Sequence, residues 1–87
     1  MKYYFRFHRG SLDESLKTTR IFDGVNAMKD AIIHEYSPFM NITRSNVTID
    51  DTSFVDPRVD WPNCHHVTVS FNNHSKCCVG CVCIVDE

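Results

Sequence analysis

The chain has little glycine and no surplus of charge, and each shortage excludes a class of function. Three glycines in 87 residues, at positions 10, 24 and 80, leave no phosphate-cradling loop. Nine Lys and Arg against eleven Asp and Glu give a net charge of −2, which neither wraps nucleic acid nor mimics it. No apolar run approaches the roughly 20 residues of a membrane span. No serine lies in a G-x-S-x-G elbow, so we expect neither an enzyme nor a cofactor.

What is present is typical of one small globular domain. Hydrophobic residues make up 43% and charged residues 23% of the chain, which excludes disorder and collagen-like structure. We expect a single domain over residues 1–87. The N-terminal segment lacks the features of a signal peptide. Five cysteines would leave one unpaired in a disulfide framework, so we expect reduced thiols in a cytoplasm.

Side-chain periodicity predicts one long helix and several strands. Residues 2–8 alternate, with three aromatic residues on one face, and we interpret that face as core rather than as a nucleic-acid platform. Helical spacing predicts a helix over 24–36, with Asp23 as its N-cap and Pro38 ending it. Other strands are predicted at 16–22, 47–49, 67–71 and 77–85, a loop or single helical turn at 11–15, and turns at 50–53, 56–57 and 72–76. The order predicts an α+β fold, with one α-helix packed on an antiparallel sheet of four to five strands.

Cysteine and histidine are concentrated in the last quarter of the chain, and two interpretations stay open. The first is a zinc-stabilised module in which the Cys78–Cys81 pair, with its two-residue gap, is completed by Cys64 and His66. The second is a buried strand that uses cysteine as a small apolar residue. A regular strand places Cys78 and Cys81 on opposite faces. Pairing 71 with 77 would place His65 opposite Cys83, on the same face as Cys81.

The segment from Asp56 to Trp61 is the most distinctive candidate for a contact surface. It combines the single tryptophan with Arg58 between two aspartates. Tryptophan and arginine are the residues that most often dominate protein interfaces. The alternative is structural, with Trp61 covering the sheet and Arg58 pairing with a carboxylate.

Two stretches of the chain resemble small proteins of phages and mobile elements. RGSLDESLK at 9–17 is similar to their RGxLxESMK stretch, and DPRVDW at 56–61 to their later D-x-R-x-x-W stretch. CVGCV at 78–82 occupies their apolar-Gly-apolar ending. The resemblance implies apolar residues at the cysteine positions and a bacterial cytoplasm. Small phage proteins include anti-CRISPR proteins, so it also implies inhibition of a host defence enzyme by covering its surface.

The resulting hypothesis is a non-enzymatic protein that binds and inhibits a bacterial defence complex, with a CRISPR effector nuclease as partner. It uses no membrane, cofactor or direct nucleic-acid contact. The predicted contact residues are Arg9, Glu14, Arg58, Asp60 and Trp61. Trp61→Ala and Arg58→Ala are expected to weaken binding and to leave the fold intact. A homodimer through an exposed strand edge stays open.

Overall fold

The molecule is built on a five-stranded antiparallel sheet with one long helix. The computed structural model describes residues 1–8, 10–56, 61–71 and 75–86. The strands are β1 (Lys2–Phe7), β2 (Arg20–Phe22), β3 (Val47–Asp56), β4 (Trp61–Ser70) and β5 (Lys76–Val85), and their order in the sheet is β2-β1-β5-β4-β3. The helices are α1 (Leu12–Lys17) and α2 (Val25–Tyr36), with a 3₁₀ turn at Arg44–Asn46. The predicted α+β architecture is confirmed. No helix among these residues is long and apolar enough to cross a bilayer.

The hydrophobic core lies between α2 and one face of the sheet, which we call the helix face. Met28 and Ile32 project from α2 and are fully buried. Phe5 and Phe7 of β1 belong to the same cluster, and their rings meet edge to face with centroids 4.9 Å apart. The predicted core role of the β1 aromatic residues is therefore confirmed. Four valines of β4 and β5, together with Ile42 and Val47, also belong to the cluster: Val67, Val69, Val79 and Val82.

The start of α2 differs from the prediction. Gly24, not Asp23, occupies the N-cap position, and no side chain caps the helix there. The carboxylate of Asp23 instead pairs with the ammonium group of Lys2, and this pair lowers the pKa of Asp23 through a hydrogen bond and charge attraction. The end of the helix at Tyr36 agrees with the prediction, although Ser37, the residue before Pro38, keeps a helical backbone (φ −56°, ψ −31°) and donates its N–H to the backbone oxygen of Ile33.

The strand predicted over 16–22 is wrong in its first half. Residues up to Lys17 form α1, and only Arg20–Phe22 join the sheet. Ser11 caps α1 by accepting a hydrogen bond from the backbone N–H of Glu14 at 3.2 Å. Acidic residues in the first turn and Lys17 in the last turn complement the helix dipole. These local signals outweigh the alternation of apolar and polar residues.

Strand β3 is much longer than the predicted 47–49. It runs for ten residues through the turn predicted at 50–53 and as far as Asp56, with register irregularities between Ile49 and Ser53 and between Phe54 and Asp56. Pro57, the second residue of the turn predicted at 56–57, lies outside the described residues. The Asp50 carboxylate accepts a hydrogen bond from the backbone N–H of Thr52 at 3.2 Å. β3 is an edge strand, where bulges are tolerated, so residues typical of turns are accommodated within the strand.

The β4–β5 hairpin has a different register from the predicted one. Val69, not Phe71, lies opposite Cys77, and Cys64 rather than His65 lies opposite Cys83. His65 pairs with Val82, whereas His66 pairs with Cys81. The prediction that His65 shares a face with Cys81 and Cys83 is therefore wrong. Because side chains alternate, a shift of one residue exchanges the two histidines between the faces.

A β-bulge in β5 explains the shift. Val67 pairs with Gly80 and Thr68 pairs with Cys78, so Val79 is an extra residue on this strand. A Cβ atom on Gly80 would lie 2.2 Å from the backbone oxygen of Arg6, so only glycine fits there. The bulge brings Cys78 and Cys81 to the same face of the sheet, which corrects the prediction that they lie on opposite faces.

Candidate functional site

The sheet face away from α2, which we call the second face, carries most of the chemically distinctive side chains. β1 contributes the alternating residues that do not enter the core, and the register of the sheet brings polar and sulphur-containing residues of the other strands beside them. The side chains of the second face include Tyr4, Arg6, His8, Phe54, Asp56, Cys64, His66, Cys78, Cys81 and Cys83. It has three parts: an apolar groove, a buried ion pair, and a cluster of cysteine and histidine.

The apolar groove lies beside Trp61, where β4 begins. It has a volume of about 190 Å³ and is lined by Tyr4, Trp61, Pro62, Cys83 and Val85. Trp61 is half-buried, and Val85 keeps 38% of its surface exposed. Ile21 pairs with Tyr4 across β1 and β2 and is 57% exposed. The apolar surface therefore continues beyond the groove towards the β2 edge.

A buried ion pair lies next to Trp61. One guanidinium nitrogen of Arg6 donates to the Asp56 carboxylate at 2.7 Å, and both side chains are almost fully buried. A second guanidinium nitrogen donates to the Ser15 hydroxyl at 3.2 Å, and that hydroxyl donates to the backbone oxygen of Phe7 at 2.5 Å. The guanidinium carbon lies 5.4 Å from the centre of the Trp61 ring. Arg6 thereby links β1, α1, the end of β3 and the start of β4.

The predicted contact residues are only partly placed by the structure. Arg9, Arg58 and Asp60 lie outside the described residues. Glu14 is exposed on α1, and its carboxylate lies over Gly10, which adopts a φ of +58°. The Arg6 side chain contacts both Trp61 and α1, the helix that carries Glu14. The elements that carry the two predicted contact residues Glu14 and Trp61 therefore meet at Arg6. Trp61 lies beside the Arg6 guanidinium and lines the groove, whereas the Arg58 pairing of the structural alternative lies outside the described residues.

Three cysteines of the second face are buried: Cys64, Cys81 and Cys83. Burial raises the pKa of all three thiols, and that of Cys81 reaches about 11. These side chains therefore stay neutral at pH 7. Cys64 donates to the backbone oxygen of Trp61 at 3.5 Å, and Cys83 donates to that of Pro62 at 3.0 Å. They pack as small, weakly polar residues beneath the start of β4.

The residues of the zinc hypothesis, Cys64, His66, Cys78 and Cys81, share the second face. They share it because the bulge in β5 places Cys78 on the same face as Cys81. Within the described parts of the chain, however, no group of three or more His, Cys, Asp or Glu side chains is arranged to hold a metal ion.

The third part of the second face is a cluster of one exposed thiol and two imidazoles. The Cys78 sulphur lies 3.6 Å from Nδ1 of His66 and 3.7 Å from Nδ1 of His8. The two imidazole centres are 6.2 Å apart, and His66 stacks on Phe54 with ring centres 4.4 Å apart. Sequence reasoning missed His8 and the Arg6–Asp56 pair, because both depend on contacts between distant strands. The alternation of β1 was the one available signal, since it places Arg6 and His8 on one face.

Comparisons with known proteins add no relatives: no family model matches the chain, and neither the curated proteins nor the solved structures yielded a match.

Proposed function

We propose that this chain is a non-enzymatic binding protein that inhibits a bacterial defence complex by covering one of its surfaces, with a CRISPR effector nuclease as the specific target. The observation that carries the binding role is the apolar groove beside Trp61. The choice of target comes from the resemblance of the stretches at 9–17 and 56–61 to small phage proteins.

The groove supports an anchored protein contact. Its volume of about 190 Å³ suits an inserted apolar side chain, and the half-exposed Trp61 forms one wall. Contacts of this kind, in which an aromatic residue is desolvated at the centre of an interface, contribute most of the binding energy in many complexes. The neighbouring Ile21 and Val85 would extend the buried area.

Charge supports the choice of a nucleic-acid-binding partner. Glu14 is exposed on α1, the helix whose Ser15 contacts Arg6 beside Trp61. Basic side chains that hold DNA or RNA in an effector nuclease would meet the exposed Glu14 carboxylate favourably. Complementary charges of this type raise the association rate and select the partner.

The test is capture of the partner from bacterial hosts that carry CRISPR systems, followed by native mass spectrometry. We expect a stoichiometric complex with a defence protein. Val85→Ser and Ile21→Ser should weaken capture, because they make the groove and its surroundings polar. Val55→Ser is the matched control, since Val55 is 72% exposed on β3 and does not line the groove. Trp61→Ala is less informative, because Trp61 also covers Arg6.

Two results would contradict the proposal. Capture that is equally strong with the groove variants and with the control would exclude the groove as the contact surface. Complexes whose partners are unrelated to defence would exclude the proposed target and keep only the binding role. Circular dichroism of each variant confirms that it remains folded.

A further inference from the structure

The exposed thiol of Cys78 lies between two imidazoles contributed by other strands. Its sulphur is 3.6 Å from Nδ1 of His66 on β4 and 3.7 Å from Nδ1 of His8, which follows β1. All three side chains are exposed to solvent. The buried Cys81 lies on the same face, beside His66 in the sheet register. A small reagent can therefore reach the Cys78 sulphur while an imidazole is within range to accept its proton.

The other four cysteines lack this combination. Cys64, Cys81 and Cys83 are buried and hence shielded from reagents. Cys77 is exposed like Cys78, yet alternation places it on the other face of β5, and its sulphur contacts the Cys78 backbone oxygen at 3.9 Å. Cys77 and Cys78 are therefore adjacent exposed thiols that differ in their imidazole contacts, so their reaction rates can be compared within one protein.

The position of Cys78 depends on the bulge. Val79 is the extra residue that separates the pair Thr68–Cys78 from the pair Val67–Gly80. Bulges commonly re-aim a side chain next to functional sites. Here the bulge directs Cys78 towards the face that carries His8 and His66.

We propose that Cys78 is a thiol–disulfide exchange site that takes low-molecular-weight disulfides such as glutathione disulfide. The Cys78 sulphur attacks one sulphur of the disulfide, and its proton passes to His8 or His66. A new S–S bond joins Cys78 to one glutathione while the original S–S bond breaks. The second glutathione leaves as a thiolate and takes up a proton, so the disulfide supplies the whole oxidising equivalent.

The test compares two variants that each keep one exposed thiol. Cys77→Ser retains Cys78, and Cys78→Ser retains Cys77. Each reduced protein is incubated with glutathione disulfide at pH 7, and the mixed disulfide is followed by intact-mass spectrometry. Because a positioned base accelerates proton transfer, we expect Cys77→Ser to react at least about tenfold faster. In urea the two variants should react at equal rates, which assigns the difference to the fold.

The histidines are tested in the Cys77→Ser background. His66→Gln and His8→Gln should each slow formation of the mixed disulfide. His65→Gln is the matched control, because His65 pairs with Val82 and its Nδ1 contacts the Asp50 backbone oxygen at 2.8 Å. Equal rates in the folded state for the two variants that each keep one exposed thiol would overturn the proposal. Stoichiometric zinc that protects Cys78 from glutathione disulfide would also overturn it, in favour of a metal site.

Discussion

Removing the charge of Asp56 should destabilise the protein more than any comparable change at its surface. Arg6 and Asp56 are almost fully buried and bonded at 2.7 Å. Asp56→Asn keeps the shape of the side chain but leaves the Arg6 guanidinium without its counter-charge. Removing one partner of a buried ion pair costs about 3–5 kcal/mol. A domain of 87 residues has a total stability of about 4–13 kcal/mol, so this single substitution brings the protein close to unfolding.

The assay is urea and thermal unfolding followed by circular dichroism. A loss of 3 kcal/mol lowers Tm by more than about 10 °C in a domain of this size. Asp30→Asn is the control, because Asp30 also pairs with an arginine, Arg44, at 2.7 Å, but both side chains are 53% exposed. Solvent screens that pair, so its loss should have a much smaller effect.

A double variant separates the charge from the packing. Arg6→Met with Asp56→Val replaces both ions by apolar side chains, and such replacements of buried pairs are often neutral or stabilising. We expect the double variant to recover most of the stability lost in Asp56→Asn. The reasoning is refuted if Asp56→Asn loses no more stability than Asp30→Asn, or if the double variant shows no recovery.

Three further predictions follow from the cysteine-rich strand. The contribution of Cys81 to stability should be constant below pH 9 and should be lost as the pH rises from about 9 to about 11. The reason is that the Cys81 thiol ionises at its ordinary pKa of 9.0 in the unfolded chain but only near 11 when folded. Urea titrations of the native chain and of Cys81→Ala should show a shallower decline in the variant. Gly80→Ala should lower stability by about 1–3 kcal/mol in the same assay, because its methyl group meets the Arg6 backbone. Treatment with a zinc chelator should leave Tm unchanged, since a zinc-stabilised domain would instead unfold.

The sequence predicts the elements of this fold better than the ways in which they meet. The apolar stripe of α2 and the alternation in β1 each arise from side chains close together in the chain, and both predictions agree with the structure. The N-terminal half of the predicted strand at 16–22 is wrong because Ser11 caps a short helix there. The predicted strand at 47–49 was too short because turn-forming residues follow Ile49. An edge strand such as β3 accommodates these residues as bulges.

The candidate site was harder to predict because its contacts join residues far apart in the chain. Arg6 and Asp56 are separated by 50 positions, and no local pattern connects them. Trp61 was identified from its residue type alone, whereas its groove depends on Tyr4 and Val85 from two other strands. The residue type therefore identified Trp61 as a candidate contact residue, but only the order of the strands in the sheet shows which side chains form the groove around it.

The cysteine–histidine cluster shows how much chemistry depends on a single extra residue. In a regular strand Cys78 and Cys81 would lie on opposite faces, and Cys78 would be turned away from His66. Val79 is the extra residue of the bulge. The next residue is Gly80, which lacks a side chain and so lets the backbone of β1 lie close to β5. The bulge thus turns Cys78 towards two imidazoles while Cys81 stays buried, so two cysteines three residues apart acquire different chemistry on the same face. The CxxC spacing alone, without the register of β4 and β5, would suggest that Cys78 and Cys81 are chemically equivalent.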